Sequence, residues 1–111
     1  MMIRSTLHGE IWWAELDKRR PAVVVSRDDA EGARQRTTLA TITSTVRGIP
    51  SEVKLDQTDG LVTRSAINCD ELLTVPKTLL ISRIGRLSSS RMEELHRALA
   101  FALALPTGGH R

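Results

Sequence analysis

The chain has 111 residues, enough for one domain with a single core and too few for two. Its composition, 41% hydrophobic and 26% charged, is that of a folded globular protein and argues against disorder. The net charge of +3 leans towards an anionic partner, and 13 of the 16 basic residues are Arg, whose planar fork of donors suits phosphate.

One cysteine, Cys69, rules out an internal disulfide framework and a thiolate zinc cluster, and it reads as a small buried hydrophobe. No apolar run approaches the roughly 20 residues of a membrane span. The first ten residues, MMIRSTLHGE, contain no apolar h-region, so the expectation is no signal peptide and a reducing, cytoplasmic setting.

Residues 9–16, GEIWWAEL, predict a strand with Trp12, Ala14 and Leu16 on one face and Ile11, Trp13 and Glu15 on the other. One face enters the core, which leaves Trp13 half-exposed on the other. A short turn through Asp17, Lys18, Arg19 and Arg20 returns the chain antiparallel into a second strand over residues 22–26. The run Ala22-Val23-Val24-Val25 has no polar alternation, so protein should cover both of its faces. Pro21 has no N–H to donate and fits the first position of that strand.

Residues 28–36 form a polar connection with room for one helical turn. A third strand, rich in β-branched residues, follows over residues 39–43, and Gly48 and Pro50 break the loop over residues 44–50. Residues 52–55 alternate like an edge strand, and DQTDG over residues 56–60 has turn chemistry. Two more strands are expected over residues 61–70 and 81–87, separated by Pro76. Ser90 with Glu93 forms an S-x-x-E capping box, after which Met92, Leu95, Leu99, Ala102 and Leu103 recur at helical spacing until Pro106 and Gly108. Phe101 and Leu105 add a second apolar edge to this helix. The expected architecture is a single domain over residues 1–111, mainly β (α+β), built from five or six short strands in a strongly bent sheet or barrel with one C-terminal α-helix.

No metal motif is present, since His8, His96 and His110 are scattered along the chain. A serine-hydrolase elbow, a Walker loop and a dinucleotide fingerprint are also missing. Five stretches taken in order are more specific: GEIWWAEL, RRPAVVVS, ATITS (residues 40–44), NCDEL (68–72) and IGRLS (84–88). Together they resemble the MazF/PemK/Kid family of toxin endoribonucleases from bacterial toxin–antitoxin pairs, over residues 9–105. The resemblance implies a compact SH3-like, CcdB-like barrel of five to seven strands. It also implies a homodimer, no cofactor and no metal, with RNA (mRNA, tRNA or rRNA) as substrate and a cognate antitoxin as partner.

The implied reaction is attack of a ribose 2′-hydroxyl on the adjacent phosphorus, which leaves a cyclic phosphate and a free 5′-hydroxyl. It needs a proton acceptor, donors for the developing phosphorane charge and help for the leaving oxygen. By the resemblance, Arg20 before Pro21, Thr43 after the third strand and Asp70 of the Cys-Asp pair are the catalytic residues. Arg20 keeps its charge at any working pH and reads as a charge stabiliser. Thr43 donates its hydroxyl to a phosphoryl oxygen, with Ser44 able to replace it, and Asp70 is the candidate acceptor. Lys18, Arg19, Ser44, Arg47, Asn68, Arg83 and Arg86 are candidates for RNA contact, each also readable as an ordinary surface residue. Trp13 reads as a packing or dimer-contact residue more than a base-stacking platform.

Two departures from the family pattern stand out. The family's longer first loop is missing: Asp17 runs straight into Lys18-Arg19-Arg20, so that loop's acidic residue has no counterpart. Asn68 also stands where one branch has an Arg. Two alternatives remain open on the sequence: a CcdB-like gyrase inhibitor without catalysis, and an SH3-like module that binds RNA without cutting it.

Overall fold

A computed structural model describes residues 4–106. Six strands, β1 (Glu10–Glu15), β2 (Arg19–Val24), β3 (Arg36–Thr43), β4 (Glu52–Leu55), β5 (Ser65–Pro76) and β6 (Leu80–Arg86), precede one helix, α1 (Ser89–Ala102). They form one antiparallel sheet in the order β4-β5-β3-β2-β1-β6. The fold is therefore the expected mainly β half-barrel with a C-terminal helix.

Both faces of the sheet are covered, as the unalternating run in β2 requires. Val23 belongs to a large cluster with Ile11, Ile42, Ile67 and Leu95 beneath α1, which rests on β4 and β5. Its neighbours Ala22 and Val24 point the other way, into a smaller cluster with Trp12, Leu39 and Leu80. All three β2 residues are fully buried. Truncating Leu95, also fully buried, to Ala would cost about 2–5 kcal/mol. On the second face the Arg4 guanidinium lies 5.4 Å from the centre of the Trp12 ring.

Several boundaries differ from the sequence reading. Ile11 is not on an exposed face: it is fully buried under α1, so β1 enters the core with both sides, and Trp13, 36% exposed, and Glu15 are the strand's exposed residues. Strand β2 starts at Arg19, because Arg19 and Arg20 pair with Glu15 and Ala14 of β1 and extend the ladder through the basic residues. The connection over residues 28–36 contains no helical turn; an isolated bridge between Thr6 and Asp29 anchors it instead.

The DQTDG stretch folds as a 3-10 turn, Gln57–Asp59, capped by the Asp56 side chain. Strand β5 runs on to Pro76, well past residue 70. The cap of α1 is Ser88 rather than Ser90, its side chain accepting from the Arg91 amide. Leu87 before the cap and Met92 after it pack into the same core, which fixes the entry of the chain into the helix. Pro106 lies beyond the helix end, and Gly108 falls outside the described residues.

Candidate active site

An open cleft of about 420 Å³ lies where the start of β2 meets the end of β3. Its walls are Trp13 of β1, Lys18, Arg19, Arg20 and Pro21, then Ile42, Thr43, Ser44 and Thr45. Gly60, Leu61, Val62 and Thr63 of the segment before β5, with Ser65 at the start of β5 and Ile84 of β6, close it. The β2–β3 register, in which Ala22 faces Thr41, brings Arg20 opposite Thr43 when continued two residues towards the cleft. Pro21 keeps this end of β2 free of a ladder donor.

Arg20 is held from one side only. Its Nη2 donates to Asp17 Oδ2 at 3.0 Å across the β1–β2 turn, while its Nε is buried and has no partner. A buried guanidinium N–H without an acceptor is costly, while the accessible remainder of the fork can donate to an anionic oxygen. The Thr43 Oγ1 accepts from the Thr45 amide at 3.1 Å, a local turn bond that leaves the hydroxyl proton free for a ligand. Arg19 reaches Glu15 at 3.2 Å, with both side chains at least half exposed, so the pair adds little stability.

Of the ten residues singled out from the sequence, Lys18, Arg19, Arg20, Thr43 and Ser44 line this cleft. Asp70, Asn68, Arg47, Arg83 and Arg86 do not. Strand β5 bulges at Asp70. Ala40 faces Leu72 and Thr41 faces Asn68, so Cys69, Asp70 and Glu71 have no opposite residue. Thr43 faces Ala66, four residues from Asp70, which is about 13 Å at the usual strand rise.

The Asp70 carboxylate instead accepts from the Ser51 hydroxyl at 2.6 Å, and its amide donates to the Asn68 side chain at 3.0 Å. Burial, and then the nearby Asp70 charge, push the Cys69 thiol up to about 11, so this cysteine is inert.

The remaining arginines have local partners. Arg83 Nε donates to Glu10 Oε2 at 2.9 Å, compensating a carboxylate buried at the start of β1. Arg86 donates to the His8 carbonyl and lies 3.8 Å from Asp28. Arg47 lies 3.7 Å from Glu52, whose other oxygen accepts from the Arg47 and Gly48 amides and pins the β3–β4 loop.

Residues 7–103 match the PemK-like, MazF-like toxin family of type II toxin–antitoxin systems. The chain belongs to this family. Among its relatives is a Mycobacterium tuberculosis protein named probable endoribonuclease MazF5, 42% identical over 98 residues that span 86% of this chain and 90% of the relative. Endoribonuclease MazF3 of the same species is 37% identical over 92 residues, 83% of this chain and 89% of the relative. The solved structure of Mycobacterium tuberculosis toxin MazF-mt6 superposes with a TM-score of 0.84 at 36% identity, covering 88% of this chain and 99% of that one. An endoribonuclease from Mycobacterial species in complex with its cognate antitoxin gives 0.83 at 27% identity, covering 92% and 98%. These likenesses support the nuclease reading and lend nothing to the gyrase-inhibitor alternative.

In this MazF-family chain the sequence reading missed Asp17. The shortened first loop had left Arg20 without an acidic neighbour on paper. The tight turn instead puts a carboxylate three residues earlier onto the guanidinium, a spacing that a two-strand hairpin makes legible. The wall formed by residues 60–63 was also missed, because it is remote in sequence from both strands that it faces. Among the described residues no group of three or more His, Cys, Asp or Glu is arranged to hold a metal ion. No helix among them is long and apolar enough to cross a membrane.

Proposed function

We propose that this MazF-family toxin is a sequence-specific, metal-independent endoribonuclease that cleaves single-stranded RNA within the Arg20–Thr43 cleft, and so inhibits translation and growth. The 2′-oxygen attacks the adjacent phosphorus and the bond to the 5′-oxygen breaks, giving a 2′,3′-cyclic phosphate and a 5′-hydroxyl. The accessible part of the Arg20 guanidinium and the free hydroxyl proton of Thr43 donate to the non-bridging oxygens as charge builds on them. The 2′-hydroxyl proton goes to a carboxylate while the departing 5′-oxygen takes a proton from water, and Asp17 takes the acceptor role that the sequence reading gave to Asp70. Asp17 directly precedes the wall residue Lys18 and is the carboxylate bonded to Arg20, whereas Asp70 is engaged with Ser51; neither carboxylate is itself part of the cleft wall.

Lys18, Arg19 and Ser44 then contact the flanking backbone of the RNA, with exposed Arg47 beyond them. A cognate antitoxin that lays an acidic segment along the same basic cleft would compete with RNA for Arg20. The toxin acts as a homodimer, since Trp13, Phe101, Leu103 and Leu105 leave apolar surface uncovered.

The observation that supports the assignment most is that Arg20, paired through its guanidinium with Asp17 alone, and the Thr43 hydroxyl line the same cleft. Arg20→Ala and Thr43→Val test it in an RNA cleavage assay with EDTA present. Each should lower the rate by about 100-fold or more while leaving the melting temperature near that of the wild type. Cleavage at the wild-type rate by Arg20→Ala would refute the assignment.

A further inference from the structure

The fold brings together two of the three histidines at a place remote from the cleft. His8, in the segment before β1, and His96, on α1, are 88 residues apart in sequence. Their Nε2 atoms lie 2.8 Å from each other. The two rings are within 17° of parallel and meet edge to edge, with centroids 5.1 Å apart.

The second ring nitrogen of His8 decides what this contact can do. His8 Nδ1 is 3.2 Å from the Val25 carbonyl oxygen, which can only accept, so Nδ1 carries the proton and Nε2 presents its lone pair towards His96. His96 Nε2–H donates to that lone pair, and a cation bound between the rings would take the place of the shared proton. A ring nitrogen tied to a backbone carbonyl is the usual preparation of a metal-ligating histidine. His8 is also fixed through its main chain: its amide donates to Asp28 Oδ1 at 2.8 Å and its carbonyl accepts from Arg86.

The seam behind the pair is tight. Gly9, with φ at +88°, has no room for a side chain because the Met92 thioether occupies that space. Met92 precedes His96 by one helical turn, so successive turns of α1 rest on Gly9 and His8. The two imidazoles are therefore held edge to edge by packing, while His96 is exposed and free to adjust.

We propose that His8 and His96 form a two-imidazole site for a borderline divalent cation of the Zn²⁺, Ni²⁺ or Cu²⁺ class, which clamps the segment before β1 to α1. Imidazole nitrogens suit these ions, whereas Mg²⁺ and Ca²⁺ prefer oxygen ligands that the pair does not offer. An ion about 2.0–2.1 Å from each nitrogen at a tetrahedral angle needs the nitrogens about 3.3 Å apart. A small rotation of the exposed His96 ring provides that separation, and water completes the coordination. The Asp28 carboxylate beside His8 faces Arg86 and offsets its positive charge near the site. The ion is structural and takes no part in the cleft, whose walls include neither histidine.

Titration calorimetry of the full, tag-free chain with ZnCl₂ tests this, alongside His8→Ala and His96→Ala. His110 stays in every variant, so a cation bound there would be common to all of them. The wild type should bind one ion more than either variant, or bind with at least about tenfold higher affinity. Saturating Zn²⁺ should raise the melting temperature of the wild type but not of His96→Ala, and EDTA should reverse the rise. Equal binding by wild type and His96→Ala, no binding up to millimolar Zn²⁺, or a thermal shift that persists in His96→Ala would each overturn the proposal.

Discussion

Asp17 Oδ2 and Arg20 Nη2 lie 3.0 Å apart across the turn that joins β1 to β2, and this pair tethers the guanidinium of a residue that lines the same cleft as Thr43. The Arg20 side chain is only 20% exposed, whereas that of Asp17 is 72% exposed. The carboxylate therefore stays hydrated and accessible while it holds the buried cation in place.

Replacing Asp17 with Asn keeps the shape of the turn and removes both the proton acceptor and the charge facing Arg20. The RNA cleavage rate should fall by about 100-fold or more, while RNA affinity changes much less. Single-turnover cleavage measured beside equilibrium binding separates the two. A variant that cleaves normally would return the acceptor role to Asp70, and Asp70→Asn in the same assay would then show the loss.

Acid should unfold the protein through Asp29 among other groups. The Lys77 ammonium bonds to this carboxylate at 2.5 Å, and the Arg34 and Ala33 amides add two more bonds. Together they lower its pKa from 3.8 to about 2. Because the folded value lies below the unfolded one, the stabilisation is complete above pH 3.8 and disappears as pH falls through about 2. Asp29→Asn should flatten the acid limb of a pH–stability curve in that window. It should also lower the melting temperature at neutral pH, where it strands the buried Lys77 ammonium.

Helix α1 ends at a residue unsuited to its conformation. Ala104 has φ at +55°, its amide donates to the Phe101 carbonyl, and the Leu105 amide reaches back to Ala100. This is the Schellman arrangement, in which glycine is favoured because a Cβ is strained at positive φ. Ala104→Gly should stabilise the fold by about 0.5–1 kcal/mol in a denaturant titration with unchanged m-value.

Much of the architecture was legible because its signals are local. The apolar run in β2 could only be a strand covered on both faces, and the spacing of Leu95, Leu99 and Ala102 could only be one side of a helix. What escaped depends on long-range register. Nothing in NCDEL announces that three residues will lack partners on β3, nor that Ser51 will take up the Asp70 carboxylate. Three consecutive serines offer equally good caps, and the burial of Leu87 selects Ser88 among them. The His8–His96 contact spans the whole fold and has no sequence signature at all.

The uncovered apolar surface also predicts the oligomeric state. Phe101 is 60% exposed and Leu103 and Leu105 are each 51% exposed at one end of α1. Sedimentation should give a dimer, and Phe101→Glu should weaken it by placing a charge in the interface. A wild-type monomer at all concentrations would remove the dimer from the account.

Cleavage of a short single-stranded RNA in EDTA, compared with the same strand bearing one 2′-deoxy nucleotide at the cut site, tests the central claim most directly. The all-ribose strand should be cut to a cyclic phosphate and a 5′-hydroxyl with the chelator present, and the deoxy strand should survive intact because its nucleophile is gone. Equal cutting of both strands, or cutting that stops when EDTA is added, would contradict attack by the 2′-hydroxyl in a metal-free Arg20–Thr43 cleft.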